Sequence, residues 1–355
     1  MTKTPLLFTT KANTLKFLQN KLSKSKIEPL FDFTVLEWKQ NSNNIVNSIF
    51  KKFINQKIII RSSAKGEDSF DNSQAGSYLS MLNINSNKKS EIKNSINSVN
   101  QSYLKKNNLE IKNQIFVQKQ SVNIKISGVI FTKAGNMGLP YYLVNYDLGS
   151  STTSVTSGKE TKTLVIFRKK TLNGLPKYWK NLVKAIREIE LIVKSEELDI
   201  EFGINENDQI IIFQVRPITF IENTPMFNSE KLINQKIVKS KNKFSNIKFP
   251  KNTIGKKTIF SDMADWNPSE IIGNNPNLLD YSLYNFLIMN EIWHKSRSEL
   301  GYQNLDSYPL MATFGNKPYV DLRASFNSLL PNNLELKIKK KLMNYYFKKL
   351  EKKPF

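Results

Sequence analysis

The sequence predicts an α+β chain, and three observations predict it. Helical and strand patterns alternate over residues 1–220. Two apolar-alternating runs, Leu198–Gly203 and Gln209–Val215, flank the turn-rich Asn205–Asp208 and read as a hairpin that Pro217 closes. Residues 258–355 then carry mainly helical apolar spacing.

Taken in order, Ala12–Leu22 and Ile45–Ile54 have the spacing of helices, and Lys57–Arg61 reads as a buried strand running into a loop of Gly and Ser. Leu79–Ile84 is a further strand and Lys89–Lys105 a polar amphipathic helix. Gln114–Lys119, Gly128–Thr132, Tyr141–Tyr146 and Thr163–Phe167 follow as strands, and Lys177–Lys194 as a long helix. Residues 221–257 shift to Lys, Asn and Ser with little periodicity, which places a boundary near residue 221 and reads as a linker or peripheral helix. Beyond it, Leu278–Leu300 and Leu334–Glu351 are helical, and the stretch 258–355 has no evident closing element, as if it opened a longer architecture.

Composition narrows the chemistry. The chain has 355 residues, no Cys and one His, which excludes disulfides, thiolate metal sites and multi-histidine clusters, so any metal must sit on oxygen ligands. No run approaches the ~20 apolar residues of a membrane span and no signal peptide precedes the first helix, so a cytoplasmic protein without a membrane partner is expected. The net charge of +23 raises nucleic acid as a partner, but the charge is diffuse and no nucleic-acid motif accompanies it. Only six cations are Arg: 61, 168, 187, 216, 297 and 323. Where nearly every cation is Lys, each Arg is a candidate for a site that needs a planar, bidentate guanidinium.

Two constellations stand out. Arg61-Ser62-Ser63-Ala64 ends a buried strand and leads through Glu67-Asp68 to Ser73-Gln74-Ala75-Gly76-Ser77-Tyr78-Leu79-Ser80. Backbone N–H groups, hydroxyls and a guanidinium so disposed suit polyphosphate, and a capped surface turn with Arg61 in an ion pair fits the spacing equally well. The second set is Asp199-Ile200-Glu201 on one strand and Gln214-Val215-Arg216-Pro217 on the next. Period-2 alternation puts Asp199 and Glu201 on one face, where pairing can bring Gln214 and Arg216 opposite. Such a set suits Mg²⁺ bridging ATP phosphates; a cross-strand ion pair on a solvated face is the alternative.

Together these pieces resemble the ATP-binding domain of the pyruvate phosphate dikinase and phosphoenolpyruvate (PEP) synthase family. IIIRSSAKGEDSFDNSQAGSYLSMLNI is similar to its Arg-Ser-Ser…Glu-Asp…Ala-Gly signature. IFVQKQ, SGVIFT and LDIEFGINENDQIIIFQVRPIT follow in the family's order. Several ordered motifs are far more specific than any single one. The resemblance implies an ATP-grasp-like, two-lobed nucleotide-binding domain with ATP and Mg²⁺ as ligands. It matches Lys11, in Thr9-Thr10-Lys11-Ala12, to a phosphate-binding lysine and Arg61 to a phosphate arginine. Gly76 and Ser80 fall in the loop that covers the phosphates, and Gln118 in the strand whose exit lies near the adenine. Glu201 and Gln214 would hold Mg²⁺, Asp199 would support them, and Arg216 would contact the transferring phosphates.

The run Asn145–Gly158 departs from the Gly-Leu-Gly-Glu-type stretch of many relatives, so the resemblance assigns no adenine or ribose contact there. Asp262–Glu270 and Pro318–Asn327 look similar to stretches that follow the ATP domain in one branch. Asn267 and Pro268 could open a helix, and Tyr319, Asp321 and Arg323 would share a face if that run is extended, as an acceptor site or as a structural network. Full-length relatives relay phosphate through a histidine on a swivelling domain and then to pyruvate. No Ser-His-Ala-like motif exists here, and His294 falls inside an amphipathic helix. The expected activity is therefore that of an ATP-dependent phosphotransferase component with Arg61 and Arg216 as catalytic groups. Its phosphohistidine and PEP domains would lie on a partner chain or on missing sequence. A non-catalytic nucleotide-binding protein and a basic nucleic-acid-binding protein are the alternatives.

Overall fold

The computed structural model describes residues 8–64, 79–104, 111–135, 138–149, 162–169, 171–218, 229–248, 252–262, 264–306 and 308–352. The chain separates into two compact units, Met1–Glu230 and Lys231–Phe355. Both mix helix and strand, and the first holds two sheets, each with its own core.

In the first unit, α1 (Lys11–Gln19) starts at Thr10, whose hydroxyl accepts from the Asn13 N–H. β1 (Leu30–Thr34) ends on a capping box that launches α2 (Val35–Lys52), with Thr34 accepting from the Glu37 N–H and Glu37 accepting from the Thr34 N–H. β2 (Lys57–Ser63), β3 (Ser80–Asn85), α3 (Lys89–Leu104) and β4 (Gln114–Lys119) follow. The four strands form an antiparallel sheet in the order β1-β4-β2-β3. Alternation decides its faces: Ile58 and Ile60 join the core beneath α2 and α3, whereas Arg61 and its cross-strand partner Phe116 face the other way.

β5 (Ile124–Phe131), β6 (Tyr141–Leu148) and β7 (Lys162–Phe167) lead to α4 (Lys177–Val193), and the hairpin of β8 (Leu198–Asn205) and β9 (Ile210–Pro217) completes the unit. The second sheet runs β7-β6-β5-β8-β9, all antiparallel. Its Ile126, Ile130, Val144, Ile200, Phe202 and Ile212 side chains share a core with Leu182, Ile186 and Ile189 of α4. Gly128 is obligatory at its centre, because a Cβ there would lie 2.4 Å from the Asn145 carbonyl oxygen. Short contacts tie the sheets together. Lys26 exchanges backbone bonds with Ile210 and Ile212 of β9, and two residues later the Glu28 carbonyl accepts from Gln118 of β4.

The second unit contains α5 (Ser229–Ser245) from its third residue onward, β10 (Phe260–Ser261), α6 (Pro268–Ile271), α7 (Leu278–Tyr284), α8 (Ile292–Glu299), β11 (Met311–Phe314), β12 (Lys317–Asp321), α9 (Leu322–Ser328) and α10 (Leu336–Lys352). It is mainly helical, with a three-stranded sheet β10-β12-β11 that apolar periodicity does not foretell. Three expectations change. Leu278–Leu300 is not one helix: a π-helical turn at Asn285–Met289 and a break before Ile292 divide it. Asn267 does stand before Pro268 at the start of α6, but its side chain makes no capping bond. Tyr319, Asp321 and Arg323 do not share a strand face, because β12 ends at Asp321, whose carboxylate accepts from the Arg323 and Ala324 N–H groups and starts α9 there.

Candidate functional site

Strand end and helix start meet where the first constellation lies. The Ala12 N–H donates to Ser63 Oγ at 3.0 Å, and the Ser63 N–H donates to the Tyr103 hydroxyl at 2.9 Å. Tyr103 in turn donates to the Gln114 carbonyl at 2.7 Å. These bonds fix Lys11, the first residue of α1, beside the end of the strand that carries Arg61. Ser80 is the register partner of Arg61 on β3, so both side chains leave the same face. Gly76 lies outside the described residues, as do residues 150–158 of the divergent stretch. Gln118 is buried on the Arg61 face, and its amide donates to the Glu28 carbonyl at 3.1 Å, tethering the chain that joins the two sheets.

The second constellation is assembled by hairpin register. Asp199 pairs with Arg216 and Glu201 with Gln214, which sets all four on the sheet face opposite α4. A β-bulge makes this possible. Glu201 opposes Gln214 while Phe202 opposes Ile212, leaving Phe213 as the extra residue, so Ile212 and Val215 both reach the core while Gln214 and Arg216 stay on the outer face. Gly203 leaves room for the bulged ring, for a Cβ there would come within 2.7 Å of Phe213.

Arg61 joins the two constellations. Its Nη1 donates to the Phe213 carbonyl at 3.0 Å and its Nη2 to Gln214 Oε1 at 3.4 Å, with Glu201 Oε2 3.7 Å away. The guanidinium carbon lies 5.5 Å from the centre of the Phe116 ring, a cation–π contact that holds the plane. Arg216 is fixed differently: its Nε donates to Asp199 Oδ2 at 2.7 Å, and its Nη2 lies 2.6 Å from the same oxygen in an ion pair. Burial raises the Asp199 carboxyl above its usual range; Arg216 pulls it down by charge and hydrogen bonding, and Glu201 pushes it up. Asp199 Oδ1 is buried with no hydrogen-bond partner among the described residues. The face therefore presents an acidic oxygen without a donor, a partly exposed carboxylate, an amide and two oriented guanidinium groups.

Some of this was beyond sequence reasoning. No signal marks the Phe213 carbonyl as an acceptor, because Ile210, Ile211, Ile212 and Phe213 are all apolar and no alternation reveals the bulge. Thr163 and Asn145 were missed as well: they pair with each other, lie in register with Val129 and Glu201, and bond through their side chains at 3.0 Å.

His294 is 2% exposed on α8, and its Nδ1 lies 2.9 Å from Asn304 Oδ1. A ring so enclosed is not placed to relay a phosphoryl group. The C-terminal candidates form buried networks. Tyr308 donates to Asp321, while Arg297 bonds Ser328 and, at 2.8 Å, Asp265, to which Ser325 also donates.

Residues 36–177 match the family described as pyruvate phosphate dikinase, AMP/ATP-binding domain. No curated protein matches the chain. Among solved structures, the chain is similar to a D-alanyl-alanine synthetase A from Vibrio cholerae, at 12% identity and a TM-score of 0.36, covering 63% of this chain and 59% of that one. It is also similar to a D-alanine-D-alanine ligase from Coxiella burnetii, at 10% identity and a TM-score of 0.35, over 63% of this chain and 52% of that one. A dinucleotide-forming acetyl-coenzyme A synthetase 1 from Ca. Korarchaeum cryptofilum aligns at 11% identity and a TM-score of 0.38, over 59% and 92% of the two chains. The chain thus spans less than two thirds of the length of the first two. The match to the pyruvate phosphate dikinase AMP/ATP-binding domain thus runs from the second helix to the first residue of the fourth, residues 36–177.

Proposed function

We propose that this chain is the ATP-binding component of a PEP synthase-like phosphotransferase, one that binds Mg·ATP and passes a phosphoryl group to a histidine domain carried elsewhere. The observation that carries the reading is the convergence of Arg61, from one sheet, on Gln214 and Glu201 of the other. The phosphate-type arginine lies against the acid–amide pair. A triphosphate entering between them gives the guanidinium anionic oxygens to bond instead, and the planar fork suits two of them at once. Arg216, held by a hydrogen bond and an ion pair to Asp199, is preorganised for charge that develops on the transferring group. Lys11 adds a point charge from the start of α1.

The residues fit a Mg²⁺ ion. Asp199 Oδ1 is a buried carboxylate oxygen without a hydrogen-bond partner among the described residues, and Glu201 and Gln214 supply further oxygen ligands on the same face. When bound, Mg²⁺ would offset the negative charge of the phosphates. Burial of His294 favours a chain that does not complete the relay alone. A cytoplasmic setting goes with use of the ATP pool, and among the described residues no helix is long and apolar enough to cross a membrane.

The test is equilibrium binding of ATP by the full chain with and without Mg²⁺, in the wild type and in Glu201→Gln. The substitution should reduce the Mg²⁺-dependent gain in affinity about tenfold while leaving the melting temperature nearly unchanged. An unaltered Mg²⁺ dependence removes the metal assignment, and failure of the folded wild type to bind ATP removes the function.

A further inference from the structure

A second site lies on the α4 side of the five-stranded sheet. There a pocket of about 550 Å³ opens between the end of β7 and the last two turns of α4. Tyr142, which lines it, shares a core with α4, whereas Glu201 and Gln214 occupy the other face of the sheet. The pocket is thus separated from the candidate nucleotide site by the thickness of the sheet.

Its charges are not balanced. Arg168 lies against Glu190 at 2.5 Å and Glu196 at 3.3 Å, with a further bond to the Thr132 carbonyl, and its guanidinium stacks over Tyr142 at 4.8 Å. Lys169 pairs with Glu230 at 2.7 Å. Arg187 and Lys194 differ: among the described residues neither makes an ion pair. Arg187 Nη2 donates to the Arg168 carbonyl at 2.7 Å, a neutral acceptor that orients the guanidinium without cancelling its charge. Among the described residues, four cations therefore face three carboxylates around one cavity. Arg187 and Leu191 stand one turn apart on α4 and so share one stripe of its surface, and Lys194 follows as the left-handed cap that ends the helix. Leu191 is 79% exposed, an apolar surface left uncovered beside two uncompensated cations. The choice of residue agrees: in a chain whose cations are nearly all Lys, two of the six Arg side chains line this cavity.

We propose that this pocket binds a small organic oxyanion, with its phosphate or carboxylate head between Arg187 and Lys194 and its apolar body along Leu191. The inference is independent of the nucleotide reading. The test therefore uses the full chain carrying Arg61→Gln, so that phosphate does not report from the cleft between the sheets. Inorganic phosphate and acetate are titrated separately by calorimetry. At least one should bind, and adding Arg187→Gln should weaken that binding about tenfold, Lys194→Gln about threefold. Arg187→Lys should restore only part of it, because the charge returns without the planar fork. A response to phosphate alone assigns a phosphate ligand, and one to acetate alone a carboxylate. Equal binding before and after Arg187→Gln, or no binding of either anion by the folded Arg61→Gln chain, overturns the proposal.

Discussion

Arg61→Lys isolates the geometry of the guanidinium from its charge. Arg61 donates from two separate nitrogens to two acceptors on neighbouring residues, the Phe213 carbonyl and Gln214 Oε1, while its plane stacks on Phe116. A lysine ammonium keeps the charge but can replace one of these bonds and cannot stack as a plane. A hydrogen bond to a charged group contributes about 1.5–3 kcal/mol. The Glu201 contact, at 3.7 Å between partly exposed groups, adds about 0.5 kcal/mol, most of which a lysine retains. The net loss is about 2 kcal/mol. It should appear first as lower stability of the ligand-free chain, because the lost bond ties one sheet to the other. If the same fork meets phosphate oxygens, ATP affinity should fall about thirtyfold. Chemical denaturation gives the first quantity and equilibrium nucleotide titration in Mg²⁺ the second. ATP affinity within twofold of the wild type, in a variant that melts normally, would refute the assignment of Arg61 to phosphate.

Three further outcomes follow from the packing. Gly128→Ala places a Cβ 2.4 Å from the Asn145 carbonyl oxygen, a backbone atom that cannot swing aside, so it should destabilise the first unit by about 2–3 kcal/mol, measured in denaturant. Thr34→Ala removes the hydroxyl half of the capping box on α2 and should cost about 1 kcal/mol by the same measurement. Burial raises the Asp321 carboxyl above its usual range; the Tyr308 hydroxyl, the amides of Ala324 and Arg323 and the Arg323 charge pull it down without overcoming burial. A carboxyl raised in the folded state contributes stability that is full below its unfolded value of about 4 and lost as pH rises through the folded value. Asparagine mimics the protonated form, so the deficit of Asp321→Asn relative to the wild type should be largest near pH 4, as the lower limit of the window, and shrink toward pH 7 in parallel thermal melts. A deficit that grows with pH would contradict the direction.

Much of the first unit could be read from residue order because its elements are periodic. Gln114–Lys119 is a strand over those same residues, and Lys177–Lys194 forms a helix to within a residue, since each has one apolar rhythm and a clear stop. That Asp199 and Glu201 share a face, with Gln214 and Arg216 able to lie opposite, also followed from alternation about a turn, whereas the individual pairs depend on a register that the bulge interrupts. β1 and the three-stranded sheet of the second unit went unread, because strands of two to five residues carry too few alternations to stand out from loops. The helix expected over Leu278–Leu300 has apolar residues throughout, and no local signal marks the π-helical turn that divides it.

By itself the sequence nominated candidates and their order: Lys11, Arg61, Gly76 and Ser80 for phosphate, Gln118 near the adenine, Glu201 and Gln214 for Mg²⁺ with Asp199 in support, and Arg216 for the transferring phosphates. Tertiary structure decided which of them meet. Arg61 and Gln214 lie 153 positions apart, and only the packing of one sheet across the other brings them within hydrogen-bonding distance. It also decided that Asp199 holds Arg216 through one oxygen and leaves the other without a donor among the described residues, that Gln118 tethers the connection between the sheets, and that Arg187 and Lys194 border a pocket. Local periodicity reports which face of an element a side chain leaves from; what waits on that face depends on chain segments far away in sequence, and that is settled by burial and hydrogen-bond satisfaction over the whole fold.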